Sequence, residues 1–468
     1  MQSTEKQAFN PNVMAFALML AAFVGLFSET ALNMAFTNLM VEFSISAATV
    51  QWLATGYLLV LGILVPVSAL LIQWFSTRKL FIISMIFSIV GTLVAALAVN
   101  FEMLLVGRII QALGTGLVLP LLINVLLVIY PIHKRGAVMG VMGLVIVAAP
   151  AIAPTISGLI VDGLGWNFIF YISAVLLVVN FIFGVKVIKD VSTITKPKID
   201  VLSIILSTIG FGAIVYGFSI AGDSSMSDPM VLLSLAIGVV ALVIFVIRQN
   251  KIEHPMLKMT VFKYPMFNLS LLFIIIVMML ILSSAILLPM YLKGSLLVSS
   301  AMAGLILLPG GFLNAVLSPV VGRSFDKIGP KPFIPTGFLL AAIGLFLLSN
   351  LTTSTAFWMV ILFHSMVFIG ITLIIMPGQT YGLNQLPPQL YPDGSAVMST
   401  LQQVAGAVGT TFGILLMTSG QKTFAAANAS ATVPQMMSAG VQHAFTWLAV
   451  LAVIGFVGSL FIKTKKSN

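Results

Sequence analysis

Cysteine is absent from the 468 residues, which removes thiol catalysis, cysteine-ligated metals and disulfide bonds while leaving the compartment open. Charge is scarce as well. Asp, Glu, Lys and Arg make up 7% of the chain, against roughly 25% in an ordinary soluble domain. So few polar groups cannot coat a water-soluble globule when 60% of residues are hydrophobic and mean hydropathy is +1.15. The same shortage excludes disordered chain and charged coiled coil. With four histidines and no cysteine, no metal-ligating cluster stands out. No Walker A pattern is present, so ATP is not the expected energy source.

What remains is a membrane chain. Its long apolar runs carry 38 Gly and 21 Pro, which fits helices better than the alternating strands of an outer-membrane barrel. A spanning helix needs about 20 apolar residues. Fourteen runs meet that need: 13–37, 48–72, 80–99, 103–128, 136–160, 168–187, 201–221, 230–248, 267–292, 300–323, 332–350, 356–377, 394–418 and 442–462. The first is too long for a signal-peptide core and has no convincing small-residue cleavage site, so it reads as a retained helix. Lys and Arg set the orientation. With the N-terminus in the cytoplasm, all of them fall inside except Lys293 and Lys422, with Arg108 lying within a span. Both termini are therefore expected in the cytoplasm of a cell-membrane protein. The net charge of +10 is a topology signal rather than a nucleic-acid surface.

The chain repeats itself weakly. Ala69 to Arg78 follows the second run, and Gly322-Arg323-Ser324-Phe325-Asp326-Lys327-Ile328-Gly329-Pro330-Lys331 follows the tenth. The second segment spaces Gly, Asp, Gly and a base where the first has small or polar residues and keeps the base. Two six-helix halves fit this repeat, 1–187 and 267–468, with a linker and two inserted helices over 188–266. Parallel repeats of this kind are a transporter architecture with the substrate site between the halves. Segment 419–441 is expected to be a small-residue loop on the outer side. No loop is long enough to fold as a separate domain, so function must reside in the membrane.

Ionisable groups inside a membrane are expensive and are functional candidates by default. Of the 12 acids, only Glu29 lies deep in a span; Arg108 is the only deep base and His364 the only comparably placed histidine. At 1.5 Å per residue the three lie roughly 24, 22 and 18 Å up a core of about 30 Å. A carboxylate, a guanidinium and an imidazole at one level suit proton handling; a plain Glu29–Arg108 neutralising pair is the alternative. Arg108 and Gln111 stand one turn apart on a shared face. Gly140, Gly143, Pro150, Pro154 and Gly158 make a small-residue seam in the fifth run, and Gly406, Gly409 and Gly413 another in the thirteenth. Asn33, Gln111, Ser284 and Tyr291 are candidate cavity-lining residues.

At these residues the chain resembles the major facilitator superfamily, in particular its fourteen-helix drug:proton antiporters, over essentially its whole length. Arg108, Gln111, Gly114 and Gly116 resemble the family's fourth-helix motif, whose arginine is implicated in proton coupling. Ala149 to Gly158 resembles the antiporter motif, with Pro150, Pro154 and Gly158, that importers generally lack. Asp162 with Trp166 resembles the motif after it. Gly322, Asp326, Lys327, Gly329 and Lys331 match the cytoplasmic gating motif in its second-half copy. Three departures accompany the match. Thr30 and Asn33 fit a first-helix motif whose usual Asp position holds Ser28, with Glu29 beside it. The first-half gating loop has Gln73 and Ser76 where Asp and Gly are usual. The antiporter motif has Ala153 and Ser157 in place of glycines.

The resemblance implies an all-α integral membrane protein of 14 transmembrane helices, a major facilitator fold of two six-helix bundles with two helices inserted between them. It implies a secondary transporter, not an enzyme, that exports hydrophobic drugs or antibiotics, cationic ones included, by alternating access. The proton is the expected coupling ion, with Glu29, Arg108 and His364 handling it and no other cofactor or metal. Membrane lipid is the expected surrounding, the chain is expected to act as a monomer, and no nucleic acid is involved. Export of an endogenous lipid, fatty acid or peptide by the same cycle is the alternative; proton-coupled import and intramembrane catalysis rank behind it.

Overall fold

The computed structural model describes residues 10–463 apart from 131, 192–193, 195–199, 224–225, 253–254, 256 and 388–389. Among the described residues the fold is helical throughout, without a strand. The helices are α1 (Pro11–Ala31), α2 (Phe36–Glu42), α3 (Ala47–Val50), α4 (Trp52–Trp74), α5 (Thr77–Ala96), α6 (Phe101–Ile129), α7 (Ile132–Gly163) and α8 (Asn167–Val187). Then follow α9 (Val201–Asp223), α10 (Pro229–Gln249), α11 (Pro265–Gly294), α12 (Ser300–Ile328), α13 (Phe333–Leu348), α14 (Phe357–Asn384), α15 (Tyr391–Ala427) and α16 (Val433–Ser459).

Their starts are written in the sequence. The side chains of Asn10, Asn100, Asp228 and Ser299 each accept a hydrogen bond from a backbone N–H of the first turn that follows them. Thr432 and Gln435 form a reciprocal capping box at α16. Prolines inside α6, α7, α11, α12 and α14 would break helices in water, but neighbouring helices in lipid re-satisfy the freed backbone groups. Among the described residues twelve helices are long and apolar enough to cross a membrane by length and composition, while Ala148–Gly163 within α7 and Phe333–Leu348 are shorter apolar helices. The chain is a multi-pass membrane protein.

Two expectations change. The loop expected over 419–441 is mostly helix, since α15 runs on to Ala427 and α16 begins at Val433. The small residues there, alanines above all, are strong helix formers and carry α15 beyond the apolar run. The first span is not one helix. A 3-10 segment, Leu32–Ala35, interrupts it between α1 and α2.

In packing, α1 lies against α6, α7 and α8, and α5 joins α6 and α8. Further along the chain, α11 packs on α14, α15 and α16, and α12 and α13 on α14. Two seams join these groups, α7 with α12 and α4 with α15, and α9 rests on both α4 and α15. Helices α4 and α15 run antiparallel, since Thr55 meets Thr410 while Gly62 faces Gln403 and Val404.

Candidate functional site

Arg108, Gln111 and Thr115 form one stripe of α6, spaced three and four residues apart. Backbones on either side approach closely enough to enclose that stripe. A Cβ added to Gly25 of α1 would lie 2.6 Å from Thr115 Oγ1, and one added to Gly91 of α5 would lie 2.2 Å from the backbone N of Gln111. Arg108 is thereby fully buried. Its guanidinium has five N–H donors. Nη1 donates to the backbone carbonyl of Ser28 and to Gln111 Oε1, both at 2.8 Å. Nε reaches the carbonyl of Leu53 at 3.1 Å, and Nη2 that of Glu29 at 3.3 Å. Beneath it lies the Tyr57 ring, 4.2 Å from Cζ, a cation–π contact.

The network continues outward. Gln111 Nε2 donates to Thr92 Oγ1 at 2.8 Å, and Thr92 in turn to the Ser88 carbonyl at 2.6 Å. Tyr57 Oη donates to the Gly25 carbonyl at 3.1 Å and pairs with Thr115 Oγ1 at 2.6 Å. Ser28 and Glu29 occupy the last turn of α1, where helix carbonyls have no intrahelical partner and a cation is favoured. Arg108 therefore caps the broken first helix. No ion pair joins it to the Glu29 carboxylate. The ion pairs among the described residues are Arg248–Asp200 at 2.8 Å and Lys258–Asp393 at 3.8 Å. Glu29, partly exposed, directs its carboxylate to no hydrogen-bond donor among the described residues.

His364 sits elsewhere. Its ring lies 4.5 Å from that of Phe368 and fills the space beside Gly310 of α12, where an added Cβ would be 2.4 Å from Nδ1. It is 5% exposed, Nδ1 has no partner among the described residues, and no hydrogen bond joins it to Glu29 or Arg108. Among the candidate cavity residues, Asn33 lies in the helix break and donates from Nδ2 to the Ala285 carbonyl of α11 at 3.3 Å. The neighbouring Ser284 is buried with Oγ unpartnered. Gln111 is engaged by Arg108. Tyr291 is buried and donates to the Thr352 carbonyl at 2.7 Å, so it serves packing rather than an open surface.

The seam between α7 and α12 is made by backbone. Thr155 Oγ1 donates to the Gly304 carbonyl at 2.9 Å, and added Cβ atoms at Gly158 and Gly304 would stand 2.2 Å from the Ser300 oxygen and 2.5 Å from the Pro154 oxygen. Pro150 and Pro154 lie inside α7. In the gating segment, Gly322 lies within α12 and Gly329 ends it at φ 75°, a left-handed position that suits glycine. Lys331 is exposed beyond. The side chains of Asp326 and Lys327 lie outside the described residues.

Residues 18–410 match the family described as Major Facilitator Superfamily. The chain belongs to the Major Facilitator Superfamily. It is 54% identical over 474 residues to the lincomycin resistance protein LmrB of Bacillus subtilis (strain 168), covering 100% of this chain and 99% of that protein. To the protein of the same name from Listeria monocytogenes it is 51% identical, over 99% of each. The multidrug transporter protein MdtP of Bacillus subtilis is 26% identical over 78% of this chain and 67% of its own. Among solved structures, a POT family transporter in complex with 5-aminolevulinic acid has a TM-score of 0.71 at 16% identity, covering 97% and 96% of the two chains. A bacterial homolog of the human lysosomal transporter Spinster, in an inward-facing and unoccupied conformation, has a TM-score of 0.69 at 14% identity, over 96% and 97%. These two share the fold. A Major Facilitator chain is a transporter, not an enzyme.

Within that fold the sequence reading missed Tyr57, Thr92 and Thr115, which complete the Arg108 network. Thr115 stood between Gly114 and Gly116, and a hydroxyl between two helix-contact glycines was the available signal. It also missed Thr55, whose Oγ1 meets Thr410 Oγ1 at 2.6 Å across α4 and α15, and Asn314 of α12, whose Oδ1 accepts from Thr372 of α14 at 2.9 Å.

Proposed function

We propose that this transporter exports hydrophobic, drug-like compounds from the cytoplasm, cationic ones included, in exchange for protons. Its relatives are named for lincomycin and multidrug resistance, which supports drug export. The observation that carries proton coupling is the Glu29 carboxylate, which has no ion-pair partner among the described residues, beside an arginine that gives four of its five N–H groups to carbonyls and Gln111. A carboxylate so placed exchanges a proton with whichever side its cavity faces, since no salt bridge must first break. A proton crossing at about 100 mV releases roughly 2.3 kcal/mol, over tenfold in gradient per charge.

In this reading residues 1–187 and 267–468 are the moving halves, 188–266 carries the two inserted helices, and fourteen helices cross the membrane. The excess of Lys and Arg supports cytoplasmic termini in a cell membrane, and the chain works as a monomer in lipid with no cofactor but the proton. The cross-half bonds Asn33–Ala285, Thr55–Thr410 and Thr155–Gly304 all sit toward the end opposite the termini. They support closure on the outer side. Rocking of the halves that breaks these bonds turns the cavity outward. His364 lines the second half of that cavity as a hydrogen-bonding or relay group, and the segment Gly322–Lys331 gates the cytoplasmic side.

The test is transport of lincomycin and a panel of dyes in proteoliposomes under an imposed pH gradient of either sign. Uphill efflux should follow the gradient, and Glu29→Gln should abolish it while sparing substrate binding. Gradient-driven transport by Glu29→Gln at the wild-type level would overturn the assignment.

A further inference from the structure

Two charged side chains near the outer end, neither used by the coupling site, each cross from one half to cap the backbone of the other. Asp162 closes the last turn of α7. Its Oδ1 accepts from the backbone N–H of Ser300 at 3.0 Å and its Oδ2 from that of Ala301 at 2.5 Å, the first two amides of α12. The third, Met302, is served by Ser299 within the same half. Those amides have no intrahelical acceptor, and a helix N-terminus favours an anion. Lys293 closes the last turn of α11. Its Nζ donates to the Met34 carbonyl at 2.9 Å, inside the break of the first helix, and to Asn38 Oδ1. A carbonyl released by a helix interruption favours a cation for the reciprocal reason.

We propose that Asp162 and Lys293 form a reciprocal clasp that holds the outer side shut, and that their release is the step admitting the outward-facing state. The acid of the first half holds a helix start of the second; the base of the second holds the helix break of the first. Beside the Asp162 cap lies the glycine seam of α7 and α12, where Gly158 and Gly304 leave no room for a side chain. A hinge motion parting α7 from α12 and α1 from α11 must break both caps at once. It leaves two amides and a carbonyl for water to satisfy. The clasp thereby sets the balance of inward- and outward-facing forms independently of the proton on Glu29. The assignment of sides rests on the proposed orientation; the clasp itself does not.

The absence of cysteine makes the test direct. Ala35, in the helix break, is 0% exposed, so an Ala35→Cys reporter is silent to an impermeant maleimide while the outer side is shut. A second reporter, Ser318→Cys on α12, samples the opposite end of the cavity. Asp162→Asn and Lys293→Met are each expected to raise outside labelling of the first reporter several-fold and lower labelling of the second. Asp162→Glu and Lys293→Arg should do neither. Unchanged labelling in both neutral variants overturns the clasp. Faster labelling of both reporters together also overturns it, because that is the signature of general loosening. Reciprocal changes with the first reporter reached only from the side of the termini support the clasp and overturn the proposed orientation, and neither readout needs drug or proton transport.

Discussion

The two halves solve the problem of buried polarity differently. Around α6 the first half encloses a full positive charge, with Arg108 bonded to three backbone carbonyls and a glutamine and backed by an aromatic ring. The corresponding region of the second half holds an imidazole, an amide and hydroxyls: His364 beside Gly310, and Asn314 joined to Thr372 and Ser318. Under the proposed function a drug meets both kinds of surface, and the proton is handled at Glu29 beside the first.

The sharpest way to break this contrast is to remove its charge. Arg108→Ala should abolish lincomycin efflux. Arg108→Lys should lower it by roughly tenfold or more, because an ammonium has no planar fork to serve two helices and Gln111 together. Efflux assays at matched expression decide; full activity with lysine would mean that charge alone matters. Next comes the tightness of the charged side. Gly91→Ala drives a Cβ into the Gln111 backbone and should destabilise the protein by about 1–3 kcal/mol. Gly322→Ala, whose nearest contact is Met376 Cε at 3.8 Å, should leave thermal unfolding in detergent near wild type.

Third is His364→Gln, which keeps polarity without titration. A relay predicts lost coupling and a flattened pH–rate profile; a substrate contact predicts changed drug preference with the pH profile intact. If neither moves, the ring only fills the gap beside Gly310. Smallest is an effect outside both halves. The Arg248 guanidinium beside Asp200 holds that carboxyl down at about 2, below the ordinary value of 3.8. Its stabilising contribution is complete above pH 3.8 and fades as pH falls through about 2. Asp200→Asn should therefore lower stability slightly and equally at pH 5 and pH 7, as melting at the two values will test.

Much of the architecture was legible because lipid imposes a simple code. Apolar runs of about 20 residues located the helices without any side-chain contact. The family followed from Arg108, Gln111 and the proline–glycine pattern of α7. The partners of Arg108 were not legible. A sequence displays side chains, so Glu29 was the obvious mate for the only deep base, whereas two of the three carbonyls that hold Arg108, those of Ser28 and Glu29, come from the turn before a helix break that no residue in Leu32–Ala35 announces. Likewise the polar span 419–441 suggested a loop, although helix propensity outlasts hydrophobicity at Gln421–Ala427.

Helix α9 touches both α4 and α15, and those two must part company if the halves tilt as proposed. A rod resting on two diverging walls keeps its footing on one and slides along the other. In the proposed cycle each turnover would uncover a strip of side chain to acyl tails and cover another, which would make transport speed respond to bilayer thickness.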